Sequence, residues 1–367
     1  MQVNGAIAVT DPALSNAVEA TSYQTSEQIV GGVSEAAEAG LAAEVGAAET
    51  FAAADDVALS SMVAGPANDA SYGNLPAGWD EARFDHALDM AKLSSQAYSS
   101  FNDRTVDLLL APFSGINDIK NQDFSTDNYL PINSGGKSDF LLPLQNGLDY
   151  TVFQQVTDPN GVDHAAKTAG GDIVLSFRGS EPTSAPDWVN NVKQAAGHSP
   201  QYGAAVNVAR DLQQQVDAYN EKHGLEGDAA MKLHFTGHSL GGGLATAAAL
   251  ATGSEATVFN AAGLSDHTIN NLGLDASHAD KVTNINVEGD LLSDGNRQKD
   301  AHTTGSGVFG DTKQYGEQVW LQGVDDRARF GGPLNFLVPG FVNDLAIQGL
   351  NHAWHVYTYQ LENRNFA

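Results

Sequence analysis

KLHFTGHSLGGGLATAAAL, residues 232–250, joins two kinds of segment through a turn. Lys232-Leu233-His234-Phe235-Thr236 reads as a buried strand, and Leu244 to Ala251 as a helix of small residues. Between them stands Gly237-His238-Ser239-Leu240-Gly241, a G-x-S-x-G pentapeptide. A serine at the tip of so sharp a strand-to-helix turn takes a strained backbone conformation. The residues two before and two after it must be small, because side chains there collide with the neighbouring strand and helix. Such a turn exposes the Ser239 hydroxyl. It also aims the Leu240 N–H, at the positive end of a helix, at the place where negative charge would develop. The strand before and the small-residue helix after favour this elbow over a glycine-rich turn with an inert serine.

The pattern continues on both sides. Tyr150 to Phe153, Asp172 to Phe177, Ala256 to Phe259 and Val282 to Val287 read as strands, and Ala204 to Lys222 as a helix. Such alternation predicts an α/β fold with a mostly parallel central sheet and helices on both faces. Upstream, Trp79 to Tyr98 reads as an amphipathic helix with Phe84, Leu88, Ala91 and Ser95 on one face and Asp80 and Glu81 in its first turn. The Gly/Pro/Asn/Asp-rich stretch 64–78 is a linker. Residues 1–70 form an Ala/Glu-rich extension, helical or partly disordered, in which Leu41, Val45 and Ala48 make a weak apolar stripe. The expected organisation is therefore that extension followed by one domain over 71–367.

A serine nucleophile needs a base, and the base needs a carboxylate to orient it. In a fold of this kind the chain order is Ser, then Asp or Glu, then His. Asp290 ends the strand-like run 282–290, and carboxylates just past strand C-termini sit where open α/β sheets build their sites. Glu288, Asp294 and Asp300 are rivals; no strand pattern leads into Asp266, Asp275 or Asp280. Three histidines follow Asp290: His302, His352 and His355. His302 lies in a polar loop. His352 stands on a loop before a final helix, from which it can reach the serine, and His355 one turn on competes with it. A second oxyanion donor is expected where Ser176-Phe177-Arg178-Gly179-Ser180 leaves its strand: Gly179 permits a sharp exit and Ser180 offers its N–H. Arg178 reads as half of a structural ion pair rather than as a substrate contact.

Composition narrows the function classes. Apolar residues are 42% and charged residues 17% of the 367, enough apolar material for a large core. With 45 Asp and Glu against 18 Lys and Arg, the net charge is −27, which repels nucleic acid and anionic headgroups at long range. Nucleic-acid binding is thereby excluded as a main role. The chain has no cysteine, so disulfides, thiolate metal sites and cysteine nucleophiles are excluded together. No basic residue precedes Arg83, so the positive region of a secretory signal is missing. Export without a standard signal peptide, or a cytoplasmic location, is the expectation.

The run SFRGS…DWVNN, FTGHSLGGGLA, VEGD and HAWHVY resembles the class 3 lipases, a branch of the α/β-hydrolase fold. The segment Leu75-Pro76-Ala77-Gly78-Trp79 and the helix after it are also similar to the lipase domain of bacterial secreted lipases, whose calcium-binding repeats this sequence lacks. The resemblance implies Ser239 as nucleophile, Asp290 as acid partner and His352 as base, with Ser180 and Leu240 forming the oxyanion hole. It implies that 181–192, with Trp188 as apolar handle, forms or borders a lid, and that no catalytic metal is needed. A second apolar stretch, Phe330 to Ile347, is an acyl-pocket, lid or buried-turn candidate. A structural calcium is conceivable only at 289–295, where Asp290 and Asp294 match no specific calcium loop.

The expected activity is hydrolysis of lipid carboxylic esters through an acyl-enzyme, as a triacylglycerol lipase or phospholipase A working at a membrane or lipid-droplet surface. An antibacterial or host-directed phospholipase effector, with a chaperone or immunity partner, is the alternative. An acyltransferase using the same triad is an enzymatic rival, and a non-catalytic hydrolase-fold binding protein is the reading from another class.

Overall fold

The computed structural model of the chain describes residues 75–98, 113–114, 124–135, 148–179, 200–290, 292–293, 312–324, 329–330 and 351–367. The expectations for the extension 1–70, for Ser180, Trp188, Asp294, Asp300 and His302, and for 331–347 lie outside these residues.

The first described helix, α1 (Glu81–Gln96), starts where Asp80 caps it by accepting from the Arg83 N–H. It buries Phe84, Ala87, Met90, Ala91 and Leu93, close to the predicted face. Then come β1 (Tyr129–Gly135), β2 (Tyr150–Gln155), β3 (Ile173–Phe177), α2 (Pro200–His223), β4 (Leu233–His238), α3 (Leu240–Thr252), β5 (Glu255–Phe259), β6 (Val282–Val287), β7 (Glu317–Leu321) and α4 (Trp354–Glu362).

The seven strands form one sheet in the spatial order β7-β6-β5-β4-β3-β2-β1, which is simply sequence order reversed. The pairings from β3 to β7 are parallel, and β2 pairs antiparallel with both β1 and β3. Every residue of β3 and of β4 is buried, as parallel strands covered on both faces require.

This order decides how the sheet is covered. Crossovers between parallel neighbours are right-handed, so a chain that winds steadily toward one edge lays its crossover helices on one face. There α2 and α3 pack with Leu175, Phe177, Phe235 and Val258. The other face is covered from outside that run, by α1 and α4, over Val174, Phe259, Ile285 and Val287. The Tyr357 ring of α4 stacks on Phe259 with centroids 4.6 Å apart. Its hydroxyl lies 2.7 Å from Ser94 Oγ and 3.2 Å from Ser95 Oγ, joining α4 to α1. Beyond α4, Phe366 bridges antiparallel to Leu321, and the Ala367 N–H donates to the Trp320 carbonyl at 2.9 Å, so this segment lies along the outer edge of β7.

Two differences from the sequence reading have plain causes. Helix α3 begins at Leu240, not Leu244, because its glycines let it pack closely: a Cβ on Gly242 would lie 2.7 Å from Ala261 Cβ, and one on Gly243 2.6 Å from Tyr202 Oη. Packing here overrides the poor helix propensity of three consecutive glycines. Strands β1 and β7 lacked a clear pattern because they are edges. Pro131 in β1 sits at a register shift between residues 131 and 133, a position an edge strand tolerates. Among the described residues no helix is long and apolar enough to cross a membrane.

The Tyr357 hydroxyl and its two serine partners are all buried, so Tyr357→Phe leaves two hydroxyls short of a partner. It is expected to lower unfolding stability by about 1–2 kcal/mol, read from the midpoint of a urea titration.

Candidate active site

Ser239 stands between β4 and α3 with φ 60° and ψ −125°, a left-handed conformation for a residue with a Cβ. Such strain costs on the order of 1–3 kcal/mol and persists only where packing imposes it. Here it does. A Cβ on Gly237 would lie 2.5 Å from the Gly241 carbonyl, and one on Gly241 only 2.2 Å from the Phe177 carbonyl. Both flanking glycines are therefore obligatory, as the pentapeptide suggested. The Ser239 carbonyl accepts from the Gly243 N–H at 3.2 Å and the Ala262 N–H at 2.9 Å, tying the turn to α3 and to the exit of β5.

The Ser239 hydroxyl is buried rather than exposed, with the residue 1% accessible, and it has no hydrogen-bond partner among the described residues. Gly179 closes over it: a Cβ there would lie 3.3 Å from Ser239 Cβ and 2.6 Å from the His238 carbonyl. The chain thus leaves β3 directly beside the elbow. The Leu240 N–H belongs to the first turn of α3, whose leading N–H groups have no intrahelical acceptor.

Asp290 and His352 meet. The His352 Nδ1 lies 2.5 Å from Asp290 Oδ2, and both residues are buried. The other Asp290 oxygen accepts from the Ser293 N–H at 2.5 Å. With Nδ1–H donated to the carboxylate, a neutral His352 ring keeps its lone pair on Nε2, the tautomer a general base requires. The His352 ring centroid is 4.6 Å from that of His238, the residue next to Ser239, so the pair lies against the elbow.

The rivals lie elsewhere. Glu288, Asp266, Asp275 and Asp280 are exposed, whereas Asp290 is fully buried. His355 packs edge-on against Phe124, centroids 4.9 Å apart, and burial lowers its pKa to about 4. Arg178 is the buried half of an ion pair, its Nη1 2.8 Å from Asp149 Oδ2. Burial raises the Asp149 pKa against the opposing pull of that guanidinium. Arg178 therefore anchors the exit of β3, as the structural reading had it.

Residues 162–324 match a Tle-like phospholipase domain. That stretch contains Arg178, Ser239, Leu240 and Asp290, while α1 and His352 lie outside it. The chain is 46% identical over 109 residues to the extracellular phospholipase A1 of Serratia liquefaciens. The match covers 29% of this chain and about 30% of the length of that relative. Among solved structures, a lipase–propeptide complex of Rhizomucor miehei aligns over 77% of this chain and 81% of its own at 14% identity, with a TM-score of 0.40. Lipase II of Rhizopus niveus aligns over 66% and 82% at 13% identity, with a TM-score of 0.38.

Two further residues bear on the site. Asn260, just past β5 with φ 42°, donates from Nδ2 to the Asn351 carbonyl at 3.0 Å and accepts at Oδ1 from the Val287 N–H at 2.8 Å. It ties Asn351, the residue before His352, to the strand before Asp290. Its position after a central strand was a usable signal, because such positions line sites in open α/β sheets. Tyr98, at the end of α1, reaches His238 and Gly179, and no local pattern marks it.

Two predictions follow from the histidines. His352→Gln is expected to lower kcat by at least ~10³-fold, and His355→Gln by no more than about tenfold, in steady-state ester hydrolysis. The pKa values of both His86 and His355 are lowered by burial to about 4, with the His234 ring adding to the effect at His86. As pH falls from the unfolded value of about 6.5 toward 4, the unfolded chain takes up these protons before the folded one, so stability is lost over that window. Urea midpoints between pH 7 and 4.5 are expected to fall, and to fall less in His355→Gln.

Proposed function

We propose that this chain is a serine hydrolase of lipid carboxylic esters, of phospholipase A type. The observation that carries the reading is the strained Ser239 elbow beside the buried Asp290–His352 pair. The phospholipase-domain match over 162–324 and the relative named as a phospholipase A1 support phospholipid over triacylglycerol, and the sn-1 ester as the bond cleaved.

In this reading His352 Nε2 takes the Ser239 proton as Oγ attacks the ester carbonyl carbon. The oxyanion is held by the N–H groups of Leu240 and Ser180. The intermediate collapses as the lysophospholipid alcohol leaves with the proton from His352. Water, deprotonated in turn by His352, attacks the acyl-enzyme, and the bond to Ser239 Oγ breaks as His352 returns the proton to it, releasing the fatty acid. Asp290 orients the ring throughout. The scheme uses no metal; Trp188 serves as an apolar contact to the lipid surface. A second reading, an effector delivered into another cell, is supported by the Ala/Glu-rich segment 1–70. In it that segment engages a chaperone and the domain an immunity protein, and toxicity on periplasmic expression in a bacterium tests it.

Ser239→Ala is expected to abolish fatty-acid release from phosphatidylcholine vesicles while the fold persists by circular dichroism; release undiminished by the substitution would overturn the reading. With the net charge at −27, hydrolysis of phosphatidylcholine vesicles is expected to exceed that of phosphatidylglycerol vesicles at low salt. The gap should close as salt shortens the screening length to below about 10 Å.

A further inference from the structure

A chain of hydrogen bonds through His238 connects parts of the site that the reaction scheme leaves separate. The Gly179 N–H donates to Tyr98 Oη at 3.0 Å. Tyr98 Oη lies 3.1 Å from His238 Nδ1, and His238 Nε2 lies 2.7 Å from the backbone oxygen of His352. A carbonyl oxygen only accepts, so His238 Nε2 carries a proton. Burial first, and the neighbouring His352 ring second, hold the His238 pKa well below its ordinary value, so the ring is neutral. Nδ1 is then a lone pair, so the Tyr98 hydroxyl donates in their 3.1 Å contact, with the His238 carbonyl, 3.4 Å from the same hydroxyl, as a second acceptor on the same residue. The links run from Gly179 to Tyr98, His238 and the His352 carbonyl. One residue earlier, Asn260 holds the Asn351 carbonyl. Two consecutive carbonyls of the segment that carries His352 are therefore gripped by side chains at the ends of β4 and β5.

We propose that Tyr98 and His238, with Asn260 beside them, are positioning residues that set the reach of His352 toward Ser239. The inference rests on the hydrolase reading above. The Asp290 bond holds the His352 ring through one atom. The carbonyl grips hold the backbone beneath it. Because His238 is the chain neighbour of Ser239, the base is placed relative to the nucleophile itself. Through Tyr98 the same ring is tied to Gly179, the residue before the second oxyanion donor.

The test uses the full chain with His238→Phe, His238→Gln and Tyr98→Phe, assayed on a soluble short-chain ester with melting temperatures measured alongside. The Gln amide keeps a donor for the His352 carbonyl and an acceptor for Tyr98; Phe keeps neither. His238→Phe is expected to lower kcat roughly 10- to 100-fold with KM within about twofold, since a base misplaced by about 1 Å costs up to ~10²-fold. His238→Gln should recover most of that loss, and Tyr98→Phe should lower kcat about 3- to 10-fold in the same way. Parental kcat in His238→Phe, a loss carried by KM, or a folded Gln variant no better than Phe would each overturn the proposal. If His238→Phe does not fold, Tyr98→Phe decides on the same criteria. Nitrogen-15 spectra of the histidine-labelled chain at neutral pH must show His238 as a neutral Nε2–H ring; an Nδ1–H or doubly protonated ring overturns the clamp. Should Ser239→Ala leave hydrolysis intact, the hydrolase reading fails, and these spectra still decide the clamp separately.

Discussion

Backbone touches backbone where the first turn of α3 lies on the exit of β3. A Cβ on Gly241 would sit 2.2 Å from the Phe177 carbonyl and 2.9 Å from the Gly179 nitrogen. That contact fixes how close the helix comes to the sheet, and the rest of the site inherits the distance. It holds Ser239 in its left-handed conformation, because a relaxed turn would need room that Gly237 and Gly241 have given up. It brings the Leu240 N–H and the chain leaving β3 to the same spot. The strain at one serine is therefore offset by close packing spread over two strands and a helix.

The order of the strands has an equally direct effect on the base. A sheet wound steadily toward one edge places α2 and α3 on one face and leaves Val174, Phe259 and Ile285 to be covered by other means. Helix α4 supplies part of that cover, and His352 stands two residues before it, on helical backbone that only Ala353 separates from α4. Docking of Tyr357 on Phe259 and delivery of the imidazole to Asp290 thus belong to one packing event. His352 comes late in the sequence yet is positioned by the central strands.

The sequence was most legible where one local rule decides the structure. The elbow could be read because sterics alone demand Gly237 and Gly241 around Ser239. Strand β3 could be read because burial on both faces leaves a nearly continuous apolar run, and β4 to β6 because β-branched and aromatic residues recur in them. Asp290 and His352 were legible from chain order together with their places beyond a strand and before a helix. What escaped depends on contacts far apart in sequence. Tyr98 matters only because α1 lies across the sheet and brings it to His238, 140 residues away. Asn260 looks like any polar residue after a strand until its two bonds, to the Asn351 carbonyl and the Val287 N–H, are seen together. The edge strands β1 and β7 are half-solvated, and Pro131 interrupts the register of β1, so neither shows a clear run of buried residues. His355 resembled His352 in sequence, and only its packing against Phe124 separates them.

The segment beyond α4 carries a consequence of a different kind. An open sheet presents a row of unsatisfied peptide groups at each rim, and such rims template the addition of strands from other molecules. By pairing Phe366 with Leu321 and donating from Ala367 to the Trp320 carbonyl, the chain occupies part of the β7 rim itself. It acts there as a built-in guard against self-association at high concentration. Any change that displaces Phe366 and Ala367 would bare that rim, an aggregation hazard separate from the Asp290–His352 contact.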